Sequence, residues 1–223
     1  MHIGLIGGIG PAATDFYYRG LIDRHAASGT SLEVTIAHAD AREMTRNLAN
    51  NDPGRQAKIF ARLVERLKAA GARAAAVTSM GGHFCIKQLE AISALPILNA
   101  IPEVDAAIAR RKLKKVGVIG TRTVMESKLY GGISSAEVIA PEGETMERVH
   151  SAYVEMAIPG RVTDEQRRIF HTVGRHLCRE GGGEAIMLGG TDLFLAFAGK
   201  DPGFALVDCA DIHVEAIYRA SST

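Results

Sequence analysis

The chain repeats itself. "IGLIGGIGP" at residues 3–11 is matched by "VGVIGTRT" at 116–123, with Gly4 and Gly117 lying 113 residues apart. "AAAVTSMGG" at 74–82 is matched by "EAIMLGGTD" at 184–192, with Ser79 and Gly190 lying 111 apart. Two matches at nearly one offset, close to half of the 223 residues, indicate two similar halves rather than chance. The runs "HIGLIGG", "LEVTIAH", "RAAAVTS", "LPILNAI", "KKVGVIG", "AEVIAP", "EAIMLGG" and "FALVDC" are short, nearly continuously apolar, and closed by Gly, Pro, Asp or Ser. Such runs suit parallel strands buried on both faces.

Between the runs lie segments of helical period. "RQAKIFARLVERLKAAG" puts Ile59, Leu63, Val64 and Leu67 on one stripe and stops at Gly71. "TDEQRRIFHTVGRHLCREGGG" offers Thr163 as N-cap and the run beginning at Gly181 as its end. The order is βαβα, so the class is α/β: two pseudo-symmetric Rossmann-like lobes with mostly parallel sheets and a ligand cleft between them. The expected division is 1–100 and 101–223, with a C-terminal helix over 209–223 that can return to the first lobe.

A net charge of +1 with 23% charged residues leaves no electrostatic footprint for nucleic acid or an anionic membrane, so the expected partner is a small neutral or anionic molecule. "MHIGLIGGIG" lacks a basic flank and is broken by glycines; it reads as neither signal peptide nor membrane span, and a cytoplasmic protein is expected. Cys85, Cys178 and Cys209 are odd in number and lack metal-ligand spacing, which argues against a disulfide framework or a zinc site.

Three segments point to a family. "GLIGGIGPAATDFYYRGL" resembles the "GGMGPxAT…Y" opening of the aspartate/glutamate racemase superfamily, "GTRTVMESKLY" at 120–130 its "GTxxTMexxxY", and "LGGTDL" at 188–193 its "LGCTEL". "DIH" at 211–213 sits where the last helix of that family often carries a similar sequence. The resemblance implies two α/β lobes, a homodimer, and cofactor-independent inversion of the α-carbon of an acidic amino acid. Removing so weakly acidic a proton needs a base on one face, an acid on the other, and donors for the growing carboxylate charge. In the family two cysteines, in "CNTxH" and "GCTE", take the first two roles.

Here the pattern departs. Alignment on His83 sets Ser79 at the first cysteine, with Met80 and Gly81 replacing two polar positions, and Gly190 stands at the second, followed by Thr191 and Asp192. A serine hydroxyl is far less acidic than a thiol and a glycine moves no proton, so the two-thiol mechanism cannot run. The catalytic positions to be weighed are therefore Ser79, His83, Gly190 and Asp192. His83 is either the replacement acid/base or a structural histidine one helical turn beyond Ser79. Asp192 is either a base with a raised pKa or a helix cap.

For substrate contact, Gly8, Ile9 and Gly10 in the first strand-to-helix turn offer backbone N–H groups, or simply a tight turn. Thr78 beside Ser79 can grip a carboxylate or cap the next helix, and Met80 and Gly81 form a less polar wall suited to a larger or less polar acid than aspartate. Thr121 and Thr191 keep family positions, Thr123 only approximately, and all three can hold a carboxylate. Asp40, with Arg42 or Arg46 beyond it, can read a second charged group or remain solvated. Cys85 and Cys178 read as core thiols, and Cys209 has no family role. Two functions stay open: an isomerase of a small amino or carboxylic acid using non-thiol groups, and a catalytically silent binder of such an acid.

Overall fold

The computed structural model describes residues 1–199 and 201–222. The chain divides into two compact units, Met1–Asn99 together with the chain from His213 onward, and Ala100–Ile212. The first contains β1 (Ile3–Gly7), α1 (Pro11–Ser28), β2 (Val34–His38), α2 (Ala41–Ala49), α3 (Pro53–Ala69), β3 (Ala74–Val77), a 3₁₀ turn over Gly81–Cys85 and α4 (Ile86–Ile92). The second contains α5 (Ala100–Arg110), β4 (Lys115–Ile119), α6 (Arg122–Glu126), β5 (Glu137–Ile139), α7 (Gly143–Ala157), α8 (Asp164–Arg179), β6 (Ala185–Leu188), a 3₁₀ turn over Thr191–Leu193, α9 (Phe194–Phe197) and β7 (Ala205–Asp208). The last helix, α10 (Cys209–Ser221), begins in the second unit and ends in the first.

Both sheets are parallel, in the orders β2-β1-β3 and β5-β4-β6-β7. The repeat is visible in this order, because β1, β2 and β3 correspond to β4, β5 and β6. The continuously apolar runs of β1, β3 and β6 are buried at every residue, as expected of strands covered on both faces. One expected strand is not formed: "LPILNAI" makes only a single parallel bridge, Ala75 to Ile97. Pro96 accepts from the Ala75 N–H at 2.9 Å but has no N–H to extend the ladder, and α5 begins at Ala100.

The crossover helices start as their sequences direct. In α3 the Asp52 carboxylate accepts from the Arg55 N–H at 2.9 Å and Pro53 opens the helix, which buries Phe60, Leu63, Val64 and Leu67. In α8 the Gln166 N–H donates to the Thr163 hydroxyl at 3.2 Å and the Thr163 N–H to the Gln166 side-chain oxygen at 2.8 Å, a reciprocal cap.

Gly4 and Gly117, the pair that reveals the repeat, do the same work in each unit. A Cβ on Gly4 would lie 2.8 Å from Cδ1 and 2.9 Å from Cβ of Leu67 on α3, and one on Gly117 2.6 Å from Ile186 Cδ1 and 3.1 Å from Leu177 Cδ1 on α8. Neither central strand has room for a side chain there: Gly4 is closed off by its crossover helix, and Gly117 chiefly by Ile186 of the neighbouring β6, with α8 pressing behind. Gly4→Ala should therefore destabilise the protein by about 1–3 kcal/mol through overpacking, read as a lower urea midpoint, and an unchanged midpoint would contradict this packing.

Candidate active site

In the first unit, β1 and β3 end side by side. The turn after β1 needs glycine: φ is +89° at Gly8 and +91° at Gly10, and a Cβ on Gly8 would lie 2.6 Å from the Ala39 carbonyl oxygen. Its polar groups are used locally. The Gly8 N–H donates to the Thr14 hydroxyl of α1 at 2.9 Å, and that hydroxyl lies 3.3 Å from the Gly10 carbonyl. Ile9 is buried, whereas Gly8 and Gly10 stay half-buried at the strand end.

After β3 the Thr78 hydroxyl donates to the Ile6 carbonyl at 3.1 Å, tying the two strand ends together. Ser79 accepts from the Gly82 N–H at 3.3 Å, so its hydroxyl oxygen caps the 3₁₀ turn. Met80 and Gly81 are buried with it, and a Cβ on Gly81 would lie 3.6 Å from the Ser79 hydroxyl.

His83 is buried, with Nδ1 2.7 Å from the Ser79 carbonyl oxygen. A carbonyl only accepts, so Nδ1 carries the hydrogen and Nε2 the lone pair of the neutral ring. Burial lowers its pKa to about 4, with the Ser79 carbonyl opposing the shift, which makes it a weak base near neutrality. Its ring meets His213 of α10 edge to face at 5.5 Å. His213 Nε2 lies 2.7 Å from the Leu98 carbonyl and Nδ1 2.9 Å from the Tyr17 hydroxyl, so Nε2–H donates and Nδ1 accepts. Burial, then the neighbouring His83, lower the His213 pKa to about 3. The "DIH" histidine thus holds α1, α10 and the chain after β3 in one buried network.

In the second unit the corresponding ends are those of β4 and β6. Thr121 caps α6, its hydroxyl accepting from the Val124 N–H at 3.4 Å, and Thr123 is half-buried one turn in. Thr191 and Asp192 are buried at the start of the 3₁₀ turn after β6. The two loops touch, since a Cβ on Gly120 would lie 3.0 Å from the Gly189 carbonyl carbon.

Gly190 has φ −126° and ψ 129°, extended backbone that any residue adopts. What excludes a side chain there is Tyr153 of α7: a Cβ on Gly190 would lie 2.3 and 2.5 Å from two ring carbons and 2.9 Å from the hydroxyl oxygen. That hydroxyl donates to Asp192 Oδ2 at 3.2 Å. Burial first, then the Asp192 charge and hydrogen bond, raise the phenol pKa well above its usual value, so it stays protonated.

α7 is held against α6 by Arg122, whose Nε donates to Glu147 at 2.7 Å and whose backbone N–H donates to His150 Nδ1 at 3.2 Å. After α6 the chain passes through four consecutive left-handed residues, Lys128, Leu129, Tyr130 and Gly131, at φ +50° to +64°. Such strain in non-glycine residues costs on the order of 1–3 kcal/mol each and concentrates at functional sites. It delivers Tyr130 close enough to Tyr153 to oppose ionisation of that phenol.

The other sequence candidates lie elsewhere or are committed locally. Asp40 caps α2, accepting from the Arg42 N–H at 2.7 Å and the Glu43 N–H at 3.3 Å, and Arg42 and Arg46 are exposed. Burial pushes the Cys85 thiol up to about 12 and raises those of Cys209 and Cys178, so none offers a ready thiolate. An open groove of about 550 Å³ between α7 and α8, lined by Arg148, Glu165, Arg168 and His176 among others, includes no strand-end residue and is not this site. Among the described residues no helix is long and apolar enough to cross a membrane, and no group of three or more His, Cys, Asp or Glu is placed to hold a metal ion.

Parallel strands that end in paired, polar turns define an α/β protein with one strand-end site per unit. The family profile described as Asp/Glu/Hydantoin racemase matches residues 6–217, and the chain belongs to that family. Its fold is similar to the crystal structure of a Yersinia pestis protein provisionally assigned as an Asp/Glu racemase, with 27% identity, TM-score 0.86 and full coverage of both chains. An aspartate racemase homologue from Pyrococcus horikoshii matches at 24% identity and TM-score 0.79, covering 100% of this chain and 99% of the other. Picrophilus torridus aspartate racemase matches at 16% and 0.77, covering 99% and 94%.

Tyr153 is the residue that sequence reasoning missed. It lies 39 positions from Asp192 inside an amphipathic helix and matches no motif. The available signal was indirect: a glycine at an otherwise functional position asks which neighbour fills the space.

Proposed function

We propose that this protein moves the α-proton of a small amino or carboxylic acid, without a cofactor and without thiols, as an amino-acid racemase-type isomerase. The observation that carries this reading is the repeated strand-end turn. In each unit the strand beside the central one closes on a buried hydroxyl residue opening a 3₁₀ turn: Thr78 and Ser79 after β3, Thr191 after β6. Ser79 and Thr191 hold positions that the resemblance assigns to proton transfer and carboxylate binding. Thr121 adds a half-buried hydroxyl at the end of β4. The buried Met80 beside Ser79 favours an acid bulkier or less polar than aspartate. The resemblance supports a homodimer.

A second reading, a silent binder of the same acids, is favoured by His83, which is neutral, buried and tied to the Ser79 backbone instead of activating its hydroxyl. One experiment separates the two. Incubated in deuterated water with L- and D-aspartate, glutamate and larger amino acids, the protein should exchange the α-hydrogen of at least one of them, seen by proton NMR. Saturable binding of such an acid with no exchange would establish the binder instead.

A further inference from the structure

We propose that Tyr153 takes the place of the missing second thiol, acting with Asp192 as the acid/base pair of the second unit's strand-end site. This deepens the isomerase reading and rests on it. Gly190 stands where the resemblance sets a cysteine, and the volume its side chain would fill is occupied by another titratable group of the same unit. The Tyr153 hydroxyl oxygen lies 2.9 Å from the position a residue-190 Cβ would take, so it sits within the reach of the absent side chain. The contact is specific to position 190, because a Cβ on the neighbouring Gly189 would meet Val124 and Val118.

The alternative is that Tyr153 is merely a core residue. Its ring does pack in the cluster with Ile119, Met125, Val149 and Leu193. A packing role alone, however, explains neither a hydroxyl aimed at a buried carboxylate nor a glycine at the one position whose side chain would displace it. Phenylalanine would fill the same volume without bringing a polar atom into that core.

Burial disfavours a free phenolate, so the hydroxyl works through its partner. In the forward step the substrate Cα–H bond breaks and its proton passes to the Tyr153 oxygen. The phenol's own proton passes along the existing hydrogen bond to Asp192 Oδ2, and the electron pair stays on the substrate as the enolate of its carboxylate. The reverse transfer returns a proton to carbon from the same face. Atoms and charge balance without any other reactant, and the phenol is neutral before and after.

The test is α-hydrogen exchange in deuterated water, followed separately for the L and D forms of an amino acid that the wild-type protein turns over. Tyr153→Phe keeps the ring and removes the hydroxyl. It should lower kcat for exchange of one enantiomer by about 100-fold or more, the usual scale for a general acid/base, with KM changed little and the other enantiomer far less affected. Asp192→Asn should lower the same enantiomer's exchange. Unchanged exchange in Tyr153→Phe overturns the proposal and leaves the isomerase reading standing. Equal loss for both enantiomers with a raised KM also overturns it, since that marks a structural or binding role. A wild-type protein inert toward every acid overturns the isomerase reading itself, and this proposal with it.

Discussion

Gly190→Cys, which sets a thiol where the resemblance places one, is expected to unfold the protein at a markedly lower temperature. The backbone is not the obstacle, because Gly190 is in extended conformation. The obstacle is the Tyr153 ring, 2.3 Å from the new Cβ and held in a buried cluster on one side and by Asp192 on the other. Forcing atoms into such a core costs about 1–3 kcal/mol and sometimes more, and in a chain of this size each kcal/mol lowers Tm by about 2–4 °C. A loss of roughly 2–12 °C follows from those scales. Tyr153→Ala alone should cost about 3–5 kcal/mol by leaving a cavity. Combined, the two changes should be less harmful than their sum by about 1–3 kcal/mol, since the thiol side chain enters the space the ring vacates. Calorimetry on the four proteins closes the cycle. A Gly190→Cys protein as stable as wild type, or strict additivity, would show that Tyr153 does not fill the thiol's place. Ser79 already carries a side chain, so the Cβ clash that bars a thiol at position 190 does not arise there, and placing thiols at both positions requires trimming Tyr153.

This asymmetry explains what the sequence made legible and what it did not. The architecture was readable because it is written in local pattern and then repeated: the buried runs of β3 and β6 and the Thr163 and Gln166 cap are set by residues within a few positions of each other, and the Gly4 and Gly117 offset shows the same local pattern occurring twice. The strand expected over "LPILNAI" failed because its composition is right but Pro96 lacks the N–H that pairing needs. The site was readable only where it follows the backbone. The turns holding Thr78, Ser79, Thr121 and Thr191 fall at strand ends by topology, so their positions were predictable even where their uses were not. The side-chain partnerships that decide chemistry join distant segments: Tyr17 with His213 across 196 residues, and Tyr153 with Asp192 across 39. No periodicity records such pairs. Asp40 illustrates the converse, a polar residue placed correctly after β2 whose carboxylate is spent on capping α2.

The buried histidine pair should make the protein sensitive to mild acid. His83 and His213 have pKa values lowered to about 4 and about 3 from an ordinary 6.5, both chiefly by burial. Their contacts are the Ser79 and Leu98 carbonyls and the Tyr17 hydroxyl. The unfolded chain protonates both as pH falls through 6.5 while the folded chain does not, so the unfolded state binds more protons and stability declines with falling pH. The loss for His83 runs from pH 6.5 to about 4 and that for His213 to about 3. His25, also lowered by burial, adds in the same sense. Asp208 opposes them: burial raises its pKa to about 6 from 3.8, so the folded chain takes up its proton first and gains stability as pH falls between those values. His83 and His213 alone against that carboxylate leave a net uptake of about one proton on unfolding near pH 5, a slope of roughly 1.4 kcal/mol per pH unit that His25 steepens. Urea midpoints measured from pH 7.5 to pH 4.5 should therefore stay level down to about pH 6.5 and then fall. His213→Gln removes one of the two contributions and should flatten the slope, whatever its effect on the midpoint at neutral pH. A midpoint that holds level to pH 4.5, or a slope untouched by His213→Gln, would mean that the network at the end of β3 is open to water and that His83 is free to titrate as a base.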